Sequence, residues 1–256
     1  MVSHILGGIA AMIQLDKVVL GYQNTPLTPP ISGRFEPGSL TAIVGENGVG
    51  KSTLIQALTQ GNTQLSGQIH YAKARENLMA CLPQHAHLDR SFPIRVFDVV
   101  AMGCWPQTGL FRALKGVQSA RVHQALVKTG IERLANNTID TLSGGQFQRM
   151  LFARLLVQDA PVMIMDEPFV GIDCQTRQAL MTLIEQLNQG GKTLIVVLHD
   201  MEMVEAFFPN LLMLKQDLVQ WGKTATLLPH YGHTSTMGTP SPLVNPGEQK
   251  LELARP

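Results

Sequence analysis

Eight consecutive residues, Gly45-Glu46-Asn47-Gly48-Val49-Gly50-Lys51-Ser52, match the pattern G-x-x-x-x-G-K-[ST] in full, and Thr53 follows them. Glycine lets a backbone curl until successive N–H groups face one anion. Lys51 adds a positive charge, and Ser52 adds a hydroxyl suited to Mg²⁺. A second set of chemically capable residues lies far along the chain. Asp166 closes the apolar run VMIMD, Glu167 follows it, and His199 ends the run TLIVVLHD. One strand-end carboxylate can hold Mg²⁺ while its neighbour orients the water that attacks a γ-phosphate. Read alone, two acids at a strand end suit a solvated turn equally well, and a lone histidine is more often structural. The phosphate loop upstream favours the catalytic reading of all three. A third element, Leu142-Ser143-Gly144-Gly145-Gln146, looks like a helix start whose free N–H groups can hold an anion, although Ser is also a common N-cap. One nucleotide needs only one phosphate loop, so the duplication requires an explanation.

These residues need a frame that brings them together. TAIVG at Thr41, LMACL at Leu78, PVMIMDE at Pro161 and TLIVVLHD at Thr193 are short apolar runs, most of them bounded by turn residues, and they predict buried strands of a parallel sheet. The helical STLIQAL after Lys51 and other helical stretches between the runs give the alternation of an α/β core. In such a sheet the strand C-termini border the ligand crevice, where Asp166, Glu167 and His199 are then expected. IQLDKVVLGY reads as a further strand. From about His85 to Met150 the periodicity turns helical, as in Ser119–Ile131, and after Leu228 the chain becomes rich in Pro, Gly, Ser and Thr, like a loop.

Composition sets outer limits. Of 256 residues 45% are hydrophobic and 15% charged, which suits a folded globular chain and excludes the disordered class. A net charge of +1 gives no broad electrostatic reason to bind nucleic acid. Cys81, Cys104 and Cys174 lack C-x-x-C spacing, so neither a disulfide framework nor a zinc knuckle is expected, and a reducing cytosol fits. No run reaches the ~18 apolar residues of a membrane span. MVSHILGGIAAM lacks the positive region of a secretion signal, and Met12 offers an alternative start.

The phosphate loop, LSGGQ, MIMDEP and LHD, in this order and at these spacings, resemble the ATP-binding-cassette (ABC) ATPases, the motor subunits of membrane transporters. The resemblance spans about Ile13 to Leu228. It implies an α/β fold: a P-loop NTPase, RecA-like core at 13–84 and 152–228, with a small antiparallel β region and a helical subdomain at 85–151. Residues 1–12 would be an extension and 229–256 a tail. The cofactors implied are ATP and Mg²⁺, the latter near Ser52, Asp166 and Gln84. Tyr22 would stack on adenine, Gln84 sense the metal and γ-phosphate, Glu167 act as catalytic base and His199 as γ-phosphate switch. In the family, LSGGQ closes on the nucleotide of a second copy in a head-to-tail dimer, and Asp173 crosses to that partner. This answers the duplication.

The other implied partners are a multi-span permease, which would hold the chain at the cytoplasmic face of the membrane, and indirectly an extracytoplasmic metal-binding protein. Phe92 and Val96 in the helical insert are expected to line the docking surface. Ser91-Phe92-Pro93, VFDVVAMG and Glu167-Pro168-Phe169-Val170-Gly171-Ile172-Asp173 resemble the zinc and manganese uptake subfamily, with iron-chelate importers as the alternative. A soluble cassette protein of DNA repair or the ribosome would usually bring a second cassette, a long coiled-coil insertion or a zinc module, and a non-hydrolysing protein would not need Glu167 and His199 together. Two positions depart from the family pattern: Phe147 after LSGGQ and Leu198 before His199, both expected to alter packing only. His85, His87, His230 and His233 lack the carboxylate or cysteine partners of a metal site and read as ordinary polar residues.

Overall fold

Side chains alternate across a strand, so a run that is apolar at every position must be buried on both faces. The computed structural model describes residues 13–61, 63–72, 79–84, 88–108 and 116–228 and has this two-sided burial at its centre. In chain order the strands are β1 (Ile13–Tyr22), β2 (Thr25–Pro26), β3 (Ile31–Phe35), β4 (Leu40–Gly45), β5 (Gln64–Tyr71), β6 (Met79–Leu82), β7 (Val162–Asp166), β8 (Thr193–Val197), β9 (Asn210–Leu214) and β10 (Val219–Lys223). The helices are α1 (Lys51–Thr59), α2 (Val96–Ala101), α3 (Trp105–Thr108), α4 (Gly116–Lys128), α5 (Gly144–Val157), α6 (Cys174–Gln189), α7 (Met201–Phe207) and α8 (Thr224–Leu227).

A six-stranded sheet runs β10-β9-β4-β8-β7-β6, parallel throughout except for β10 on one edge. Its side chains divide by parity. Ala42, Val44, Met163, Met165, Leu194 and Val196 face a core shared with α5 and α6. Ile43, Ile164, Ile195 and Val197 face the opposite core, completed by α1, β1 and β3. A second, four-stranded sheet is built on β1, which pairs antiparallel with β2, β3 and β5. The alternation in IQLDKVVLGY slips at Lys17, whose φ of 47° is left-handed. The register against both neighbouring strands shifts there, and the bulge returns Val18 and Leu20 to the buried face.

Between β6 and β7 the described residues are mostly helical from Val96 on, and α2, α4 and α5 pack through Val99, Val100, Val122, Leu126, Met150 and Ala153. The helix expected through Ile131 stops at Lys128, because Gly130 adopts a φ of 68° and Ile131 donates back to the Leu126 carbonyl at 3.0 Å, a Schellman stop. Val96, expected on a docking surface, is instead fully buried as the first residue of α2. Its apolar side chain belongs to the core, and only Phe92, 61% exposed, faces outward. α5 continues unbroken across 151/152, so the LSGGQ segment and the sheet are joined by one helix. No helix among the described residues is long and apolar enough to cross a membrane.

Candidate functional site

The loop between β4 and α1 is shaped by its glycines. Gly50, the residue before α1, has a φ of 105°, and a Cβ there would approach Thr28 Cγ2 to 2.9 Å. Both the left-handed backbone and the close approach exclude a side chain. Lys51 is buried, and its ammonium donates to the carbonyls of Gly45 and Glu46, each at 2.8 Å. Desolvation lowers its pKa, while the charges of Glu167 and Asp166 act in the other direction. The ammonium is thus held across its own loop, beside the N-terminus of α1, where an anion is favoured.

Parallel pairing of β4, β8 and β7 brings the sequence-distant acids to this loop. Ser52 Oγ donates to Asp166 Oδ2 at 3.2 Å. Asp166 Oδ1 is buried with no hydrogen-bond partner. An orphaned carboxylate oxygen beside a hydroxyl is a hard oxygen pair that fits Mg²⁺, an ion that keeps water and phosphate oxygens as its other ligands. Glu167 has a φ of 49°, a left-handed backbone that costs about 1–3 kcal/mol in a residue of this kind and is typical of functional sites. Both oxygens of its carboxylate are engaged. Gln84 Nε2 donates to Oε2 at 2.6 Å, and His199 Nε2 lies 2.5 Å from Oε1. Asn47, Gly48, Gly50, Lys51, Ser52, Thr53, Gln84, Glu167 and His199 line one cleft of about 340 Å³.

Burial is the main cause that pushes the Asp166 carboxyl above its usual range; the Glu167 charge adds to it, and the Ser52 hydrogen bond, Lys51 and His199 oppose it. A carboxyl with a raised folded-state pKa contributes stability that is present below the unfolded pKa and is lost as pH rises through the raised value. The nucleotide-free protein should therefore gain stability relative to Asp166→Asn as pH falls from 8 to 5. Thermal melts of the two proteins across that range test it, and a pH-independent difference in Tm would rule out the buried charge as its cause.

Tyr22 ends β1 and is 48% exposed. Its hydroxyl donates to Gln56 Oε1 at 2.8 Å and accepts from Thr53 Oγ1 at 3.4 Å, which fixes the ring beside α1. Ser143 caps α5 in a full capping box: its Oγ accepts from Gln146 N at 3.3 Å, and Gln146 Oε1 accepts from Ser143 N at 3.0 Å. Ser143 and Gly144 are exposed, and none of Leu142–Gln146 lines the Lys51 cleft. Asp173 caps α6, its carboxylate accepting from Thr176 N and Thr176 Oγ1, both at 2.8 Å. These bonds hold its pKa down. A Cβ on Gly145 would come to 3.1 Å from Thr176 Oγ1 and 3.2 Å from Asp173 Oδ2, so the helix starts of α5 and α6 touch within one chain. His85, His87, His230 and His233 lie outside the described residues.

Sequence reasoning missed two participants. Thr28, buried under Gly50, accepts from the Leu20 amide at 3.1 Å, and no local signal marks it. Arg90 stacks on Phe147, and the unusual aromatic after LSGGQ was the only hint of that contact.

The family described as ABC transporter matches residues 29–170. The zinc transport system ATP-binding protein TroB of Treponema pallidum is 37% identical over 222 residues, which cover 85% of this chain and 83% of the relative. The manganese transport system ATP-binding protein MntB of Bacillus subtilis is 37% identical over 216 residues, 83% of this chain and 86% of the relative. A dimeric bacterial ABC transporter cassette superposes with a TM-score of 0.72 at 25% identity, covering 83% of this chain and 99% of that one. Matches of this extent, on a chain whose phosphate loop and strand-end acids already share a cleft, mean that this protein belongs to the ABC transporter family.

Proposed function

We propose that this chain is the ATP-hydrolysing subunit of a divalent-metal importer for zinc or manganese, acting as a head-to-tail dimer beneath a multi-span permease. The observation that carries the hydrolytic part is the Glu167 carboxylate, held by Gln84 and His199 at the edge of the Lys51 cleft. Residues Gly45 to Thr53 cradle the phosphates, and Tyr22 stacks on adenine. Ser52 and Asp166, with Gln84 nearby, hold Mg²⁺, which screens phosphate charge when bound. Glu167 takes the proton of the attacking water. Gln84 and His199 fix the direction of its lone pairs, and His199 exchanges this contact for the γ-phosphate. Ser143, Gly144, Gly145 and Asp173 close on the nucleotide of the second copy. The exposure of Ser143, Gly144 and Asp173 at two touching helix starts, away from their own cleft, supports this, as does the dimeric form of a related cassette.

The names of the two 37%-identical relatives support the metal cargo. In this reading 13–84 and 152–228 form the nucleotide core, and 85–151 forms the helical part that meets the permease. The protein sits at the inner face of the membrane, with an extracytoplasmic metal-binding protein as indirect partner. Disrupting the gene should lower cellular uptake of zinc or manganese several-fold. Wild-type protein should restore it, and Phe92→Asp should not, although purified Phe92→Asp binds nucleotide normally. Loss of iron uptake alone would overturn the cargo. Full rescue by Phe92→Asp would overturn the docking surface.

A further inference from the structure

The turn at Asp89–Phe92 is built rather than loose. Asp89 Oδ1 accepts from Ser91 N at 2.9 Å and from Ser91 Oγ at 2.7 Å, and the Asp89 carbonyl accepts from Phe92 N at 3.1 Å. Its last residue is the exposed Phe92, and Arg90, at its apex, reaches toward α5. The Arg90 guanidinium carbon lies 4.6 Å from the centroid of the Phe147 ring, and its Nη2 donates to the Leu142 carbonyl at 2.6 Å. One planar group therefore grips both the residue before the Ser143 cap and the first turn of the helix. Lysine has neither the plane to stack nor the fork to donate sideways at the same time.

The Leu142 carbonyl belongs to the same peptide plane as the Ser143 N–H, which donates to Gln146 Oε1 at 3.0 Å. A peptide is planar, so holding its oxygen through Arg90 and its hydrogen through Gln146 fixes the orientation of the whole unit. That unit aims the Ser143 hydroxyl and the free N–H groups behind it. The backbone after the turn is tied to residues 135–139, just before Leu142: Ile139 N donates to the Ile94 carbonyl at 3.0 Å, Val96 N to the Asn137 carbonyl at 2.9 Å and Phe97 N to the Ala135 carbonyl at 2.9 Å. Arg90 extends this connection to Leu142 and Phe147.

We infer that Arg90 is a positioning residue for the LSGGQ element, linking the orientation of the exposed Asp89–Phe92 turn to the alignment of Ser143 against the nucleotide of the second copy. This rests on the head-to-tail reading above. The test uses full-length Glu167→Gln protein as parent, with ATP-driven dimerisation followed by sedimentation and nucleotide affinity of the monomer followed with a fluorescent ATP analogue. Arg90→Ala should raise the ATP concentration for half-maximal dimerisation about tenfold and leave monomer affinity within about twofold. Arg90→Lys keeps the charge but loses the stacked fork, and should show part of that loss. Phe147→Leu removes the stacking but leaves the Leu142 bond, so it should show part of the Arg90→Ala loss, and the double variant should be no worse than Arg90→Ala, because the stacking is already gone there. Normal dimerisation by both Arg90 variants, or fully additive losses, would overturn the role. Arg90→Lys carries the test if Arg90→Ala fails to fold. A parent that never dimerises with ATP removes the head-to-tail premise itself, a result distinct from a parent that dimerises and variants that match it.

Discussion

Glu167→Gln is expected to bind ATP as well as the wild type while hydrolysis falls by about 10² or more, the scale of a lost general base. The geometry explains why this substitution isolates basicity. A glutamine carbonyl can still accept from Gln84 Nε2, and its amide can donate to His199 Nε2 in the tautomer that leaves this nitrogen as acceptor, so both contacts of the carboxylate have a replacement. Shape and position then persist, and only the proton acceptor is lost. With binding intact and turnover blocked, ATP-bound dimers should accumulate. Phosphate release and the elution volume in ATP measure the two halves of the expectation. Hydrolysis at the normal rate would assign the base to another group.

The second large effect comes from mixing two damaged chains. Lys51→Ala removes the buried ammonium of the phosphate loop and frees the Gly45 and Glu46 carbonyls it holds. Ser143→Arg fills the exposed start of α5 and breaks its capping box. Every site in a head-to-tail dimer pairs the loop of one chain with the LSGGQ of the other, so each homodimer carries two damaged sites. In the heterodimer both defects fall on one site, and the other joins an intact Lys51 to an intact Ser143. Tagged, purified heterodimers should therefore trap one labelled ATP per dimer, and each homodimer should trap almost none. Equal trapping in all three species would mean that LSGGQ acts within its own chain or not at all.

Local order was readable because it is set by short-range chemistry. Gly45–Ser52 carries its function in its spacing, since the loop is made by its own N–H groups and the helix that follows. The four apolar runs became β4, β6, β7 and β8 because burial on both faces leaves only apolar residues usable. Ser143 was legible as a cap, and that is the role it has within this chain. β9 lies beside β4 in the sheet centre but its run Leu211–Leu214 is short, and β3 and β5 carry polar, half-exposed patterns with little apolar signal.

The sequence by itself therefore determined a phosphate-binding α/β core, the family likeness and the identity of the reactive groups. The tertiary structure decided how those groups meet. Gln84 and His199 reach Glu167 from 83 and 32 residues away, through the order of strands in the sheet, and no local pattern encodes that convergence. The left-handed backbone of Glu167 is a strain that the surrounding sheet imposes and residue type does not foretell. Val96 turned inward with α2 and Arg90 found Phe147, each through packing between separate elements. Spacing specifies contacts within a turn or a strand; contacts between elements exist only once the cores on the two faces of the sheet have fixed where each element lies.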